Sequence, residues 1–170
     1  MTQELNYIIF NTDAGWLGIL GSAKGLLSTT LPRRSAQEAR RLLGNGVNQA
    51  SWSPHSFEGL MERLRIYFGG DKVTFPEELD LSSATSFQRG VWEITGLIPY
   101  GETRSYSWVA EQIGKPRAVR AVGQALGKNP LPIIIPCHRV VARDGELGGF
   151  SGGLEMKQYL LSLEASASIG

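Results

Sequence analysis

SYSWVAEQIGKPRAVRAVGQALG, residues 105–127, is the stretch that decides the fold class. Ser105 has the side chain of an N-cap. Behind it, Tyr106, Val109, Ala110 and Ile113 recur at helical spacing until Gly114 closes the run. Lys115-Pro116 then opens a second helix, which Gly127 ends. Two short helices across a glycine-containing turn have the shape of a helix-turn-helix. The small residues of the second helix, Ala118, Ala121, Gly123 and Ala125, let its backbone approach another surface closely, while Arg117 and Arg120 project from it. A helix that reads base edges in the major groove usually carries several long polar side chains. This one suits a narrower groove, with phosphate contacts and one long side chain to insert. A small-residue helix packed in a core, its arginines reaching outwards, fits the same residues equally well.

Outward from that motif, Phe87, Val91, Ile94 and Leu97 form one helical stripe on the upstream side. A further helix from about residue 153 to 164 carries Leu154, Leu160, Leu161 and Leu163, and the tail 165–170 reads as loose. Residues 71–86, with Pro76 and a Ser/Thr/Ala run, read as a connection. The expected domains are therefore 1–80 and 81–170. In the first, three apolar runs (7–10, 16–20 and 26–31) separated by short turns predict an antiparallel meander. Ser35 with Glu38 has capping-box form and opens a helix. Ser53-Pro54 starts another, with Phe57, Leu60, Met61, Leu64, Tyr67 and Phe68 on one face and Gly69-Gly70 as its stop. Strands followed by helices, then helices alone, make the class α+β.

Composition narrows the function. The chain has 170 residues, 42% hydrophobic and 19% charged, which is ordinary for a globular protein and excludes a disordered one. No apolar run approaches the roughly 18 residues of a membrane span, and the N-terminus lacks the pattern of a secretory signal. A single cysteine fits a reducing compartment, so the expected location is cytoplasmic. Two distant histidines, His55 and His138, give no zinc-ligand spacing, and no cofactor or metal is expected. Charge is uneven: residues 100–145 hold seven Lys/Arg against three Asp/Glu, in a chain of net charge +1. A local basic stretch suits limited phosphate contact, although scattered charges are also what a solvated face looks like.

The one cysteine, Cys137, lies between Pro136 and His138-Arg139 at the end of an isoleucine run. A free thiol has a pKa of about 8.5, and only the thiolate attacks well. His138 and Arg139 are the immediate candidates to lower that pKa, provided the backbone turns there, since neighbours on a strand point to opposite faces. A lone cysteine after Ile133-Ile134-Ile135 is, by itself, more often a small buried hydrophobe.

The ordered company of Cys137 changes that balance. NPLPIIIPCHRVV at 129–141, GFSGGL at 149–154, and Lys157, Leu160, Leu161 and Glu164 beyond it resemble the active-site segment of the O6-alkylguanine-DNA alkyltransferase family. Upstream, Gly101-Glu102, Ser105-Tyr106 and RAVRAVG at 117–123 resemble that family's helix-turn-helix. The resemblance covers residues 86–164; residues 1–80 fit the family's more variable N-terminal domain by size and element order alone. It implies a ribonuclease H-like N-terminal domain and a winged helix-turn-helix-like C-terminal one.

The same resemblance implies a function: binding in the minor groove of double-stranded DNA carrying O6-alkylguanine, flipping of the damaged base, and irreversible transfer of the alkyl group to Cys137. The reaction would be stoichiometric. An alkyl group on a stacked base is reached by extruding that base. By resemblance His138 takes the thiol proton through a water, Glu164 orients the imidazole, and Asn129 braces the turn. Tyr106 helps rotate the phosphate and donates towards the guanine. Arg120 fills the gap left by the flipped base, which favours the DNA reading of its helix. Ser107, Arg117, Ala121 and Gly123 would line the DNA-facing side. The backbone at Val140, with Phe150 and Ser151, would recognise the guanine. Phe150 stands where many members have tyrosine. The expected state is a monomer; cooperation along DNA, repair of O4-alkylthymine and the range of alkyl groups stay open. Two rivals remain: a DNA-binding module with a silent cysteine, and a cysteine hydrolase that turns over.

Overall fold

The computed structural model describes residues 4–142, 146–150 and 152–169, with the side chains of the final helix described through Ser166. It divides into two compact units, residues 1–82 and 83–170.

The first unit is built on the hairpin of β1 (Leu5–Thr12) and β2 (Gly15–Ser22), paired antiparallel from Leu5↔Ser22 to Thr12↔Gly15. Gly15, at φ +135°, closes the turn where a Cβ would sit 2.7 Å from the Arg33 carbonyl. β3 (Gly25–Thr29) continues the meander, with an irregularity at Leu20/Gly21. Helix α1 (Ala36–Leu42) starts at Ser35, whose side chain accepts from the Glu38 N–H. Only that half of the expected box is used in this way, since the Glu38 carboxylate turns towards Arg33 at 3.7 Å. The Ser53-Pro54 start gives a single 3₁₀ turn (Pro54–Phe57) before α2 (Glu58–Phe68), which buries Leu60, Leu64, Tyr67 and Phe68.

Two features depart from the sequence expectation. A two-residue strand, β4 (Ser51–Trp52), adds to β1 in parallel, so the sheet runs β3-β2-β1-β4 and is antiparallel only in its first three strands. So short a strand has no periodicity to read. Part of the supposed connection also belongs to this unit. Leu79 bridges Leu26, and buried Asp80 accepts from the Ser22 hydroxyl at 2.5 Å.

In the second unit, α3 (Ser86–Thr95) is opened by a full capping box between Thr85 and Gln88. Its buried face is Val91, Trp92 and Thr95, continued by Ile98. Leu97, expected in the stripe, is 70% exposed because the helix has ended before it. β5 (Arg104–Ser105) leads into α4 (Tyr106–Gln112), capped by the Ser105 side chain on Trp108 N–H. Helix α5 (Val119–Gly127) begins two residues later than expected, leaving Arg117 and Ala118 ahead of its first turn. It buries Val122, Ala125 and Leu126 against α3 and α4, and the Trp92 indole donates to the Ala125 carbonyl at 2.9 Å. Of the four small residues expected on an open face, Ala125 therefore belongs to the core; Ala121 is exposed.

A 3₁₀ turn (Cys137–Arg139) precedes β6 (Val140–Val141), which pairs in parallel with β5. That pairing sets the cysteine turn beside the start of α4. Helix α6 (Leu154–Ile169) runs five residues past its expected end at 164, so the tail is helical through Ile169. Its buried positions are Lys157, Leu160 and Glu164, spaced on one face, while Leu154 is exposed.

Candidate active site

The segment before Cys137 is held in an unusual shape. Ile133 adopts φ +76°, rare for a β-branched residue, and lies between Pro132 and a bond from Ile135 N–H to the Leu131 carbonyl at 2.8 Å. Asn129 holds this turn at both ends. Its side-chain oxygen accepts from Leu131 N–H at 2.8 Å, and its amide donates to the Ile135 carbonyl at 2.8 Å and to Cys137 Sγ at 3.1 Å. One asparagine thereby ties the sulfur to the backbone that presents it.

Cys137 is 6% exposed and forms part of the wall of a cleft of about 490 Å³, together with Tyr106, Arg120, Gly123, Gly149 and Phe150. Burial pushes its thiol up. The Asn129 amide, the charge of Lys157 and the backbone N–H groups of Cys137 and His138 oppose that, without overcoming it. The resting sulfur is thus held as the thiol.

His138 is fully buried, and its Nε2 lies 2.5 Å from Glu164 Oε2. Glu164 also accepts from Arg139 Nε at 2.8 Å, from Arg139 Nη2 at 3.2 Å and from Gly101 N–H at 3.1 Å. Burial works against this carboxylate, yet the bonds and charges of His138 and Arg139 bring it down to about 2. Glu164 is ionised, and Nε2 carries the proton of a neutral ring. Burial lowers the His138 pKa, the Glu164 bond and charge raise it, and Arg139 and Lys157 lower it again. The net direction is down. Arg139 points away from the sulfur: besides Glu164 it donates to the Ile98 carbonyl at 2.9 Å and lies 5.6 Å from the Tyr100 ring centre. It does not serve the thiol as the sequence suggested.

That part falls to Lys157, which sequence reasoning placed in the family pattern and gave no role. Its ammonium is buried, donates to Val140 O at 2.7 Å and Gly149 O at 3.1 Å, and lies over the Tyr106 and Phe150 rings. Burial lowers it to about 8, while attraction to Cys137 works the other way. The available signal was its spacing, seven residues before Glu164 and three before Leu160, on the helix face that turns inward.

Tyr106, at the first position of α4, donates its hydroxyl to Gly149 O at 3.2 Å; burial raises its pKa. Gly148, at φ +72°, leaves that ring its room, since a Cβ there would lie 2.7 Å from Tyr106 Oη. Gly123 on α5 faces the same ring at a distance where a Cβ would make an ordinary contact of 3.9 Å. Arg120 lines the cleft mouth and is exposed, as are Arg117 and Ala121; Ser107 is half-buried in the first turn of α4. Val140 is buried, with its carbonyl on Lys157, and Phe150 is half-buried on the cleft wall. Ser151 lies outside the described residues. Cys137, His138, Glu164, Asn129, Tyr106, Val140 and Phe150 are thus drawn together, with Arg120, Arg117, Ala121, Gly123 and Ser107 on α4, α5 and the turn between them. Chemically, this is a soft nucleophile beside an aromatic-walled cleft, with a neutral imidazole oriented by a carboxylate one residue away.

Comparison with known proteins gives a consistent result. The family profile described as "6-O-methylguanine DNA methyltransferase, DNA binding domain" matches residues 86–166. The methylated-DNA–protein-cysteine methyltransferase of Mycobacterium tuberculosis (strain H37Rv) is 49% identical over 164 residues, 95% of this chain and 93% of that protein. The protein of the same name from Mycolicibacterium paratuberculosis is 51% identical over 119 residues, 69% of this chain and 72% of that one. Among solved structures, Mycobacterium tuberculosis OGT in complex with DNA superposes with a TM-score of 0.80 at 41% identity, covering 95% of this chain and 94% of that one. The O6-methylguanine-DNA methyltransferase of Pyrococcus kodakaraensis does so with a TM-score of 0.66 at 26% identity, covering 94% and 98%.

Proposed function

Given that the chain belongs to the methylated-DNA–protein-cysteine methyltransferase family, we propose that it repairs O6-alkylguanine in double-stranded DNA by moving the alkyl group to Cys137, once per chain. Repair by alkyl transfer and DNA as a partner come with the family. The observation that carries the finer reading is the position of Cys137 in the wall of a cleft between Tyr106 and Phe150, with His138–Glu164 behind it and Arg120 at the mouth.

The steps follow from these groups. Arg117 and the exposed face of α5 meet the phosphates, and Arg120 enters the stack as the damaged guanine turns out into the cleft. Glu164 holds Nε2–H of His138, so the ring's other nitrogen takes the Cys137 proton by way of a water. Lys157 and the Asn129 amide favour the thiolate so formed. Sulfur attacks the alkyl carbon, the carbon–O6 bond breaks, and its electron pair leaves on the guanine. Tyr106, turning its hydroxyl from Gly149 O, supplies the proton that makes the leaving base neutral guanine. The proton held by His138 returns to Tyr106 through solvent. The product thioether is a poor leaving group, so the acceptor is consumed.

The test is a titration of a fixed amount of protein with duplex DNA bearing O6-methylguanine. Repaired lesions are expected to plateau at one per chain. A silent-cysteine binder would retain the lesion in the complex, and a hydrolase would pass the plateau.

A further inference from the structure

Arg139 is buried and unused by the steps above, yet it makes three bonds around the base. Its guanidinium forks across both oxygens of Glu164, at 2.8 and 3.2 Å, and its third nitrogen is fixed on the Ile98 carbonyl at 2.9 Å. A buried carboxylate facing a histidine normally draws a proton onto the ring, and an imidazolium cannot accept one from a thiol. In this site the carboxylate also meets a full positive charge, Arg139 Nη2 sharing Oε2 with the ring while Nε takes Oε1, so the Glu164–Arg139 pair is neutral as a unit. Lys157 on α6 also acts on His138, in the same direction as Arg139, and Tyr100 lies beneath the guanidinium.

We propose that Arg139 is a positioning residue for alkyl transfer: it balances the charge of Glu164, so that the carboxylate orients His138 and leaves the ring neutral and able to take the Cys137 proton. The inference rests on the repair reading and goes beyond it by giving the network a charge balance. Burial holds the His138 pKa below its ordinary value, and Arg139 adds to it by opposing the pull of the carboxylate at 2.5 Å.

Two measurements test it on the full chain. The first is the NMR titration of His138, isolated by replacing the only other histidine, His55→Gln. In the otherwise native protein the ring is expected to be half-protonated well below about 6.5, the unperturbed value. A midpoint at or above that value overturns the proposal, whatever the variants do. The second compares Arg139→Gln with Arg139→Lys in single-turnover transfer across pH. In Arg139→Gln the His138 midpoint should rise by about one unit or more. The rate should then fall about tenfold per unit of that rise on the acid side, and the loss should fade as pH increases. Arg139→Lys keeps the charge and should restore both. A rate loss equal at every pH, with the His138 midpoint unmoved, would make Arg139 structural only and overturn the proposal. If Arg139→Gln does not fold, the first measurement and the lysine variant decide. Absence of methyl on Cys137 in the unsubstituted protein would refute the repair reading separately, and the His138 titration would still stand.

Discussion

Replacing Asn129 with alanine is the sharpest local perturbation of this site, because one side chain serves both the fold and the sulfur. Three hydrogen bonds disappear, and two of them leave buried backbone groups, Leu131 N–H and Ile135 C=O, without that partner. An orphaned buried polar group costs roughly 1–3 kcal/mol. Asn129 is itself only half-buried, so water can enter beside it, and a loss of about 2–4 kcal/mol is expected from a total stability on the order of 5–15 kcal/mol. The third bond has a different consequence. After burial, the Asn129 amide has the largest influence on the Cys137 thiol, and it favours the thiolate. Without it the thiol pKa rises further, so reaction with iodoacetamide slows at neutral pH and its pH curve moves in the alkaline direction. Urea unfolding gives the first number and the iodoacetamide rate against pH the second. A stability change below about 0.5 kcal/mol with an unmoved pH curve would refute the bracing argument.

Other outcomes follow from the same geometry. Glu164 falls from 4.5 to about 2 on folding, so its stabilising contribution is complete above pH 4.5 and is lost as pH drops towards 2; wild type and Glu164→Gln should converge in unfolding midpoint across that window. Gly148→Ala places a Cβ 2.7 Å from Tyr106 Oη at a left-handed backbone position, and should slow transfer from duplex DNA while iodoacetamide still reaches Cys137. Lys157→Met removes the cation near the sulfur and its bonds to the Val140 and Gly149 carbonyls, so it should raise the thiol pKa and lower stability, whereas an unchanged iodoacetamide pH curve would show that the cation does not act on Cys137. Arg120→Ala should reduce transfer from duplex DNA far more than transfer from free O6-methylguanine base; equal losses would rule out insertion into the stack.

Much of this was legible because local chemistry and tertiary structure agree. Ser105 and Ser35 cap helices where the sequence put caps, and the helix-turn-helix stands where glycine and proline punctuate it. The expectations that failed depended on long-range contacts. β4 exists because β1 offers an edge, and Leu97 is exposed because α3 stops at Thr95 despite its continuing apolar spacing. Ala125 reads as a small residue on an open face until Trp92 is found donating to its carbonyl. In the site, residues bound by local motif were found together, while charge roles were not visible. Arg139 is next to Cys137 in the chain yet faces Glu164, and Lys157, twenty residues away in sequence, supplies the positive field. Adjacency along a 3₁₀ turn does not fix side-chain direction, so that division of labour required the packed helix α6.

The most direct test of the account is where the methyl group ends up. After reaction with O6-methylguanine duplex carrying a labelled methyl, the protein should gain a single label, recovered only on the peptide that contains Cys137, and Cys137→Ser should gain none while still binding the DNA. Label on any other side chain, or lesion loss with an unlabelled protein, would contradict it.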